Sequence, residues 1–264
     1  KSIAKKMTKD KFSKEFYYPQ YFAPEIKPFL NEKWLFENDL YECMEEDLPD
    51  DFNEMRYKGE NESYICKLIR EDMVEDFITH FNQKCISPNA TINPSIYETN
   101  SFLLENQIQS KKSIKLIEYA AFFGSIQIFT FLKNVKAELT PSLWLYAIHS
   151  KNDELIHLIE ELHIETTTEK EKSYKECFKE SIKCQNNENA DYFINNYLQT
   201  EDENSEETFI QSLKYYNFTF LQNELINESS FCNLCYFDYY SLVKALLTSR
   251  DIDVNCKTIQ NHVI

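Results

Sequence analysis

From Ser113 to Leu132 the apolar residues fall into two runs of helical period that meet at Gly124. Ile114, Ile117 and Ala121 lie three and four residues apart, on one helical face. Ser113 precedes them as a predicted N-cap, because its hydroxyl can accept from amides of the first turn. Ala120 and Ala121 are small enough to let a neighbouring helix come close. Gly124 permits the positive φ that ends a helix without a Cβ clash. Ile128, Phe129 and Leu132 then share one side of a second helix. Two helices of about ten residues each cannot bury their apolar faces alone and need neighbours of the same kind.

Weaker copies of this pattern recur. With Ala120 aligned on Ala147, the residues Ile128, Phe129 and Leu132 fall on Leu155, Ile156 and Ile159. Ser113 then falls on Thr140, and Pro141 sits where proline is favoured, at a first helical position. With Ala147 aligned on Ser181, Asn152 meets Asn186. With Ser181 aligned on Ser212, Asn186 meets Asn217. A last copy runs from Asn233 to Leu247. The spacing varies from roughly 22 to 34 residues, close to that of helix-pair repeats. A non-repetitive helical bundle is the alternative.

Elsewhere the periodicity is patchier. Residues 1–14 form a basic tail. Residues 16–36 are dense in Phe, Tyr, Trp and Pro and read as an aromatic cap on one end of the array. Glu37 to Glu54 carries nine acids and no base, and with Leu40, Cys43, Met44 and Leu48 predicts a helix with one buried edge. Residues 61–82 predict a first helix pair, with Ile65, Leu68 and Ile69 on one stripe and Val74, Phe77, Ile78 and Phe81 on the other. The break falls near Glu71 or Asp72. Residues 84–100 read as a loop and Ser101–Ile108 as a short helix. Glu165–Lys172 reads as a linker or helix start, and Glu201–Glu207 as a loop. Asp251–Ile264 ends where another repeat would begin, as expected of a piece of a longer array.

Composition narrows the choices. Among 264 residues there are 2 Gly and 7 Pro, too few for an all-β fold rich in tight turns. The 20 Phe and 17 Tyr make the expected core aromatic. A net charge of −16 disfavours nucleic acid as a partner, since phosphate contacts need basic surface, and disfavours an anionic membrane surface too. No run approaches the roughly 18 consecutive apolar residues of a membrane span. The 8 Cys are unevenly scattered, which fits reduced thiols in a cytoplasmic compartment. Lys1 rather than Met begins the chain, so a leader removed before it remains open.

Chemistry-bearing motifs are sparse. Cys232-x-x-Cys235 supplies half of a structural zinc site, but no second pair completes it, so both read as packing thiols. His157 is expected to pair with Glu161 on a helix surface. No H-E-x-x-H, phosphate-cradling glycine loop or G-x-S-x-G elbow is present. No cofactor, metal or catalytic residue is predicted, and an enzyme is the minor alternative.

The segment YAAFFGSIQIFTFL resembles the second half of the ankyrin motif, with Ala120, Ala121, Gly124, Ile128, Phe129, Phe131 and Leu132 matching. LVKALLTSRDIDVN, from Leu242 to Asn255, looks like an ankyrin helix with its hairpin tip. More closely, residues 59–264 resemble the ankyrin-like domains of unknown function found in large protist families. Departures are plain: Lys151, Gln185, Tyr216 and Asp238 stand where the motif has glycine. Leu132 to Thr140 also leaves no room for a β-hairpin.

The expected fold is therefore all-α, a solenoid of stacked helix-turn-helix pairs, ankyrin-like with shortened hairpins. Residues 1–58 would form the cap and 59–264 the repeats. The expected function is non-catalytic protein–protein binding. A segment that caps or presents a longer ankyrin array, or self-associates, is the alternative. The resemblance implies that partners dock at the inner-helix and tip surface, where Phe122, Phe123, His149, Ser150, Lys183, Cys184, Lys214 and Tyr215 fall. Phe122 and Phe123 would either anchor a partner or, the favoured reading, pack beneath the N-terminal aromatic segment.

Overall fold

A computed structural model describes residues 23–26, 48–106, 113–164, 170–198, 206–221 and 230–249. The basic tail, most of the aromatic segment, most of the acidic run and the C-terminal tip lie outside these residues. The described residues are helical, with no strand and one isolated antiparallel bridge, Thr91 to Lys115. They divide into two compact units. One comprises residues up to Lys67 together with Ala90–Lys115; the other comprises Leu68–Asn89 and Leu116 onward.

In the first unit, α1 (Ala23–Ile26) and α2 (Phe52–Lys58) are short. Helix α3 (Tyr64–Arg70) crosses from this unit into the next, and α4 (Val74–Gln83) follows it. Back in the first unit is α5 (Ser101–Leu104). Gly59, at φ +69°, ends α2 in the left-handed region, where its amide donates to Met55 O at 3.1 Å. Arg56 is buried and neutralised there: it pairs with Glu25 and donates to the carbonyls of Ile96 and Glu98. Residues 48–51 form a turn ahead of α2, so the part of the acidic run that is described is not helical before Phe52.

The second unit also holds α6 (Leu116–Phe123), α7 (Ile126–Asn134), α8 (Leu143–Ser150) and α9 (Asp153–Glu161). They are followed by α10 (Lys170–Lys183), α11 (Asn187–Tyr197), α12 (Glu206–Lys214), a 3₁₀ turn at Phe218–Phe220, α13 (Phe231–Tyr236) and α14 (Tyr240–Ser249). Helix α6 packs on α7 and α8, α8 on α9 and α10, α10 on α11 and α12, and α12 on α13. Ala120, Ala121 and Ala147 are wholly buried, as close helix approach requires.

The same turn recurs at five helix ends. Asp72, Gly124, Gln185, Tyr216 and Asp238 all have positive φ, and each amide donates three residues back. The next amide donates five residues back: Met73 to Leu68 O, Ser125 to Ala120 O, Asn186 to Ser181 O, Asn217 to Ser212 O and Tyr239 to Leu234 O. This double bond pattern is the Schellman end of a helix. Lys151 is also left-handed, but there the Ser150 hydroxyl accepts from Asn152 N at 3.1 Å.

Two helix starts differ from expectation. Ser113 does not cap α6, because Ile114 O accepts from Ile92 N and holds that segment extended until Leu116. Thr140 and Pro141 lie just ahead of α8 and outside it; the first two amides of the helix, Leu143 N and Trp144 N, bond back to their carbonyls.

Candidate partner-binding surface

At Lys151, Gln185 and Tyr216 the left-handed residue is followed by an asparagine that does two jobs. Asn152, Asn186 and Asn217 each accept, through the side-chain oxygen, from an amide in the turn that follows. Their side-chain amides then reach the preceding pair: Asn152 donates to Gly124 O at 3.4 Å, Asn186 to Ile148 O at 3.0 Å and Asn217 to Ile182 O at 3.2 Å. Ser125 does the same with its hydroxyl, to Ile69 O. Last-turn carbonyls lack the usual intrahelical partner; Ile69 O and Ile182 O already accept from Asp72 N and Gln185 N, so there the side chain adds a second bond to the same carbonyl. Asp72 caps α7 through Gln127 N and Ile128 N.

Most of the candidate residues sit at the ends of α6, α8, α10 and α12. Phe122 is packed, 8% exposed, with its ring stacked on His149 at 5.1 Å. Phe123 is half-buried and lies edge-on to Phe122 at 4.9 Å. His149 Nε2 is 2.8 Å from Glu180 Oε1, with side chains 12% and 15% exposed. Lys183 Nζ lies 3.3 Å from the same carboxylate oxygen. Ser150 is turned to its own chain, donating to Ala147 O at 2.6 Å. Cys184 is half-buried. Lys214 is exposed, its amine 5.3 Å from the Tyr215 ring, and Tyr215 O accepts from Gln185 Nε2.

The structure thus joins Phe123, Phe122, His149 and Lys183 through Glu180. Lys214 and Tyr215 stand one helix further on. Glu180 was not singled out from the sequence, where it is one acid among 44; its only signal was the three-residue spacing to Lys183. Burial pushes the Glu180 carboxyl up, but the bonds from His149 and Lys183 outweigh this and hold it below the usual glutamate range. Burial, foremost, raises the Cys184 thiol to about 11.

A second polar group ties α9 to α11. Tyr197 donates to Glu160, and the Tyr192 and Tyr197 hydroxyls are 3.5 Å apart. Hydrogen bonds from Tyr197 and Tyr192 keep the Glu160 carboxyl low, while burial and this contact raise Tyr197. His157 therefore turns to Glu160, at 3.6 Å, and not to Glu161 as expected.

Among the described residues, no group of three or more His, Cys, Asp or Glu side chains is gathered to hold a metal ion. No described helix is long and apolar enough to cross a membrane. Comparison with protein-family models, curated proteins and solved structures returned no match.

Proposed function

We propose that this chain is a non-catalytic protein-binding scaffold, built as an ankyrin-like solenoid whose hairpins are reduced to bare turns. The observation that carries this reading is the recurring staple. Ser125, Asn152, Asn186 and Asn217 each bond to a backbone carbonyl of the preceding pair. A bond of one type, repeated between successive pairs, is what a row of identical joints needs.

The proposed docking surface follows the ends of the first helices: Phe123, His149, Lys183, Lys214 and Tyr215. It offers aromatic edges and cations held at fixed spacing, suited to a folded or extended protein segment. Phe122 supports the row from beneath by fixing the His149 ring. A cytoplasmic setting suits the described cysteines, all of which are free thiols. The net charge of −16 favours a protein partner over nucleic acid.

The test is affinity capture from native cell extract with the parent chain and a Phe123→Ala/His149→Ala variant of unchanged helical circular dichroism. The row predicts loss of specific bands in the variant. Equal capture by both removes the proposed surface.

A further inference from the structure

The chain carries 44 acids against 28 lysines and arginines, yet the ends of α8, α10 and α12 show the opposite balance. Lys151 follows α8 directly, and Lys183 and Lys214 are the last residues of α10 and α12. Lys151 and Lys214 are exposed, and the Lys183 side chain is 23% exposed. Glu180 stands among them but is only 15% exposed and already held by His149 and Lys183. Asp153, Glu154 and Glu188 begin the second helices, α9 and α11, and two of them, Asp153 and Glu188, line the cavity between those helices. A helix C-terminus favours a cation by itself, so position alone calls for no ligand.

What adds to position is that these ends are neighbours. Asn186, in the turn after α10, donates to Ile148 O in the last turn of α8, and Asn217, in the turn after α12, donates to Ile182 O in the last turn of α10. Gln185 Nε2 reaches Tyr215 O at 3.2 Å. Burial, foremost, raises the Cys184 thiol while the Lys151 ammonium pulls it down, so Lys151 stands beside the turn after α10. Like charges on adjacent ends repel, and an anion lying along them removes that repulsion. Flat apolar faces lie alongside: Tyr215 is half-buried with the Lys214 amine 5.3 Å from its ring, and Tyr216 is 59% exposed.

The pitch of the row names the ligand. Helices packed side by side lie about 8–10 Å apart. A polyproline II chain has three residues per turn and rises about 3.1 Å per residue, so every third side chain points the same way at intervals of about 9 Å. We propose that the ends of α8, α10 and α12 bind an extended acidic segment of a partner protein, with carboxylates three residues apart on Lys151, Lys183 and Lys214. Residues between the acids rest on Tyr215 and Tyr216. An ammonium has three donors, so Lys183 holds Glu180 and the partner's carboxylate together. RNA fits less well, because it brings a charge at every nucleotide to a chain of net charge −16. A peptide with three spaced acids brings only what the row can meet. The inference rests on the protein-binding reading above and names the chemistry of its partner.

The test uses the full chain and fluorescein-labelled probes, read by anisotropy at physiological salt. Three peptides are compared: three repeats of Glu-Pro-Pro, three repeats of Gln-Pro-Pro, and a peptide of the first composition with its three glutamates adjacent. An oligouridylate of nine nucleotides is the fourth probe. The spaced glutamate peptide should saturate, with the adjacent-glutamate peptide several-fold weaker and the glutamine peptide at least tenfold weaker. Lys151→Gln/Lys214→Gln, two exposed positions, should weaken the spaced peptide at least tenfold. Equal binding of the glutamine or adjacent-glutamate peptide, binding unchanged in the double variant, or tighter binding of the oligouridylate overturns the proposal. If the double variant loses its helical spectrum, the peptide comparison on the parent decides. Cellular bands lost in Phe123→Ala/His149→Ala while the spaced peptide fails to bind remove the acidic partner and leave the surface. Equal capture by parent and that variant, with the spaced peptide bound as expected, removes the Phe123 and His149 anchor and leaves the lysine row.

Discussion

Replacing Asn186 with alanine removes both halves of one staple. Asn186 is 6% exposed, so neither half is replaced readily by water. Its side-chain oxygen accepts from Asn189 N at 3.3 Å, and losing such a cap costs about 1 kcal/mol. Its amide donates to Ile148 O at 3.0 Å in the last turn of α8, and stranding a buried acceptor costs about 1–3 kcal/mol. Together these give a destabilisation of about 2–4 kcal/mol, read from urea unfolding followed by circular dichroism at fixed protein concentration. Asn186→Asp keeps the capping oxygen and loses only the donor, so it should still cost about 1–3 kcal/mol. Asn152→Ala, whose bond to Gly124 O is longer at 3.4 Å and only half-buried, should cost less than Asn186→Ala. If Asn186→Ala unfolds within about 0.5 kcal/mol of the parent, or if the aspartate variant equals it, the staple is not a joint.

Other outcomes follow from the same geometry. Lys151 is exposed at φ +51°, where a Cβ costs about 1–2 kcal/mol, so Lys151→Gly should raise the unfolding midpoint slightly; Gly124→Ala, with Cβ 3.2 Å from Ser150 Cβ, should lower it. The Glu180 carboxyl is held below its ordinary value of 4.5, so its contribution is complete above that value and is lost as pH falls through the folded-state value. Glu180→Gln should therefore lower stability at neutral pH and flatten the acid limb of the stability profile; a limb identical to the parent's contradicts this. Cys85 is exposed, whereas Cys66 and Cys177 are buried and the Cys184 thiol is raised to about 11. Alkylation mapped by mass spectrometry at pH 8 should label Cys85 first among these four; simultaneous labelling would mean the native packing is absent.

Much of the helical pattern was legible because periodicity and small residues report burial directly. Gly124 marked its turn, and Lys151, Gln185, Tyr216 and Asp238, read as stand-ins for glycine, all have positive φ. The aligned Asn152, Asn186 and Asn217 were visible as a pattern, but not as joints. A side-chain amide looks the same in sequence whether it meets water or a carbonyl of the previous pair. Helix starts were misplaced at Ser113 and Thr140, because the capping hydroxyl is a local signal. A longer-range bond, Ile92 N to Ile114 O, holds the first of those segments extended. Within the candidate surface the chain positions were readable, but Glu180 was not: its spacing to Lys183 is that of any helix-surface pair, and its contact with His149 comes from another helix.

The most direct test of a row of stapled pairs is hydrogen exchange by mass spectrometry on the parent and Asn217→Ala. Asn217 is buried and joins its turn to Ile182 O and to Asn187 Oδ1. Coupling that passes only between neighbours predicts faster exchange in α12 and in α10 and α11, with α6 and α7 unchanged. Acceleration spread evenly through α6 to α12, or felt at α6 while α10 stays protected, would contradict it.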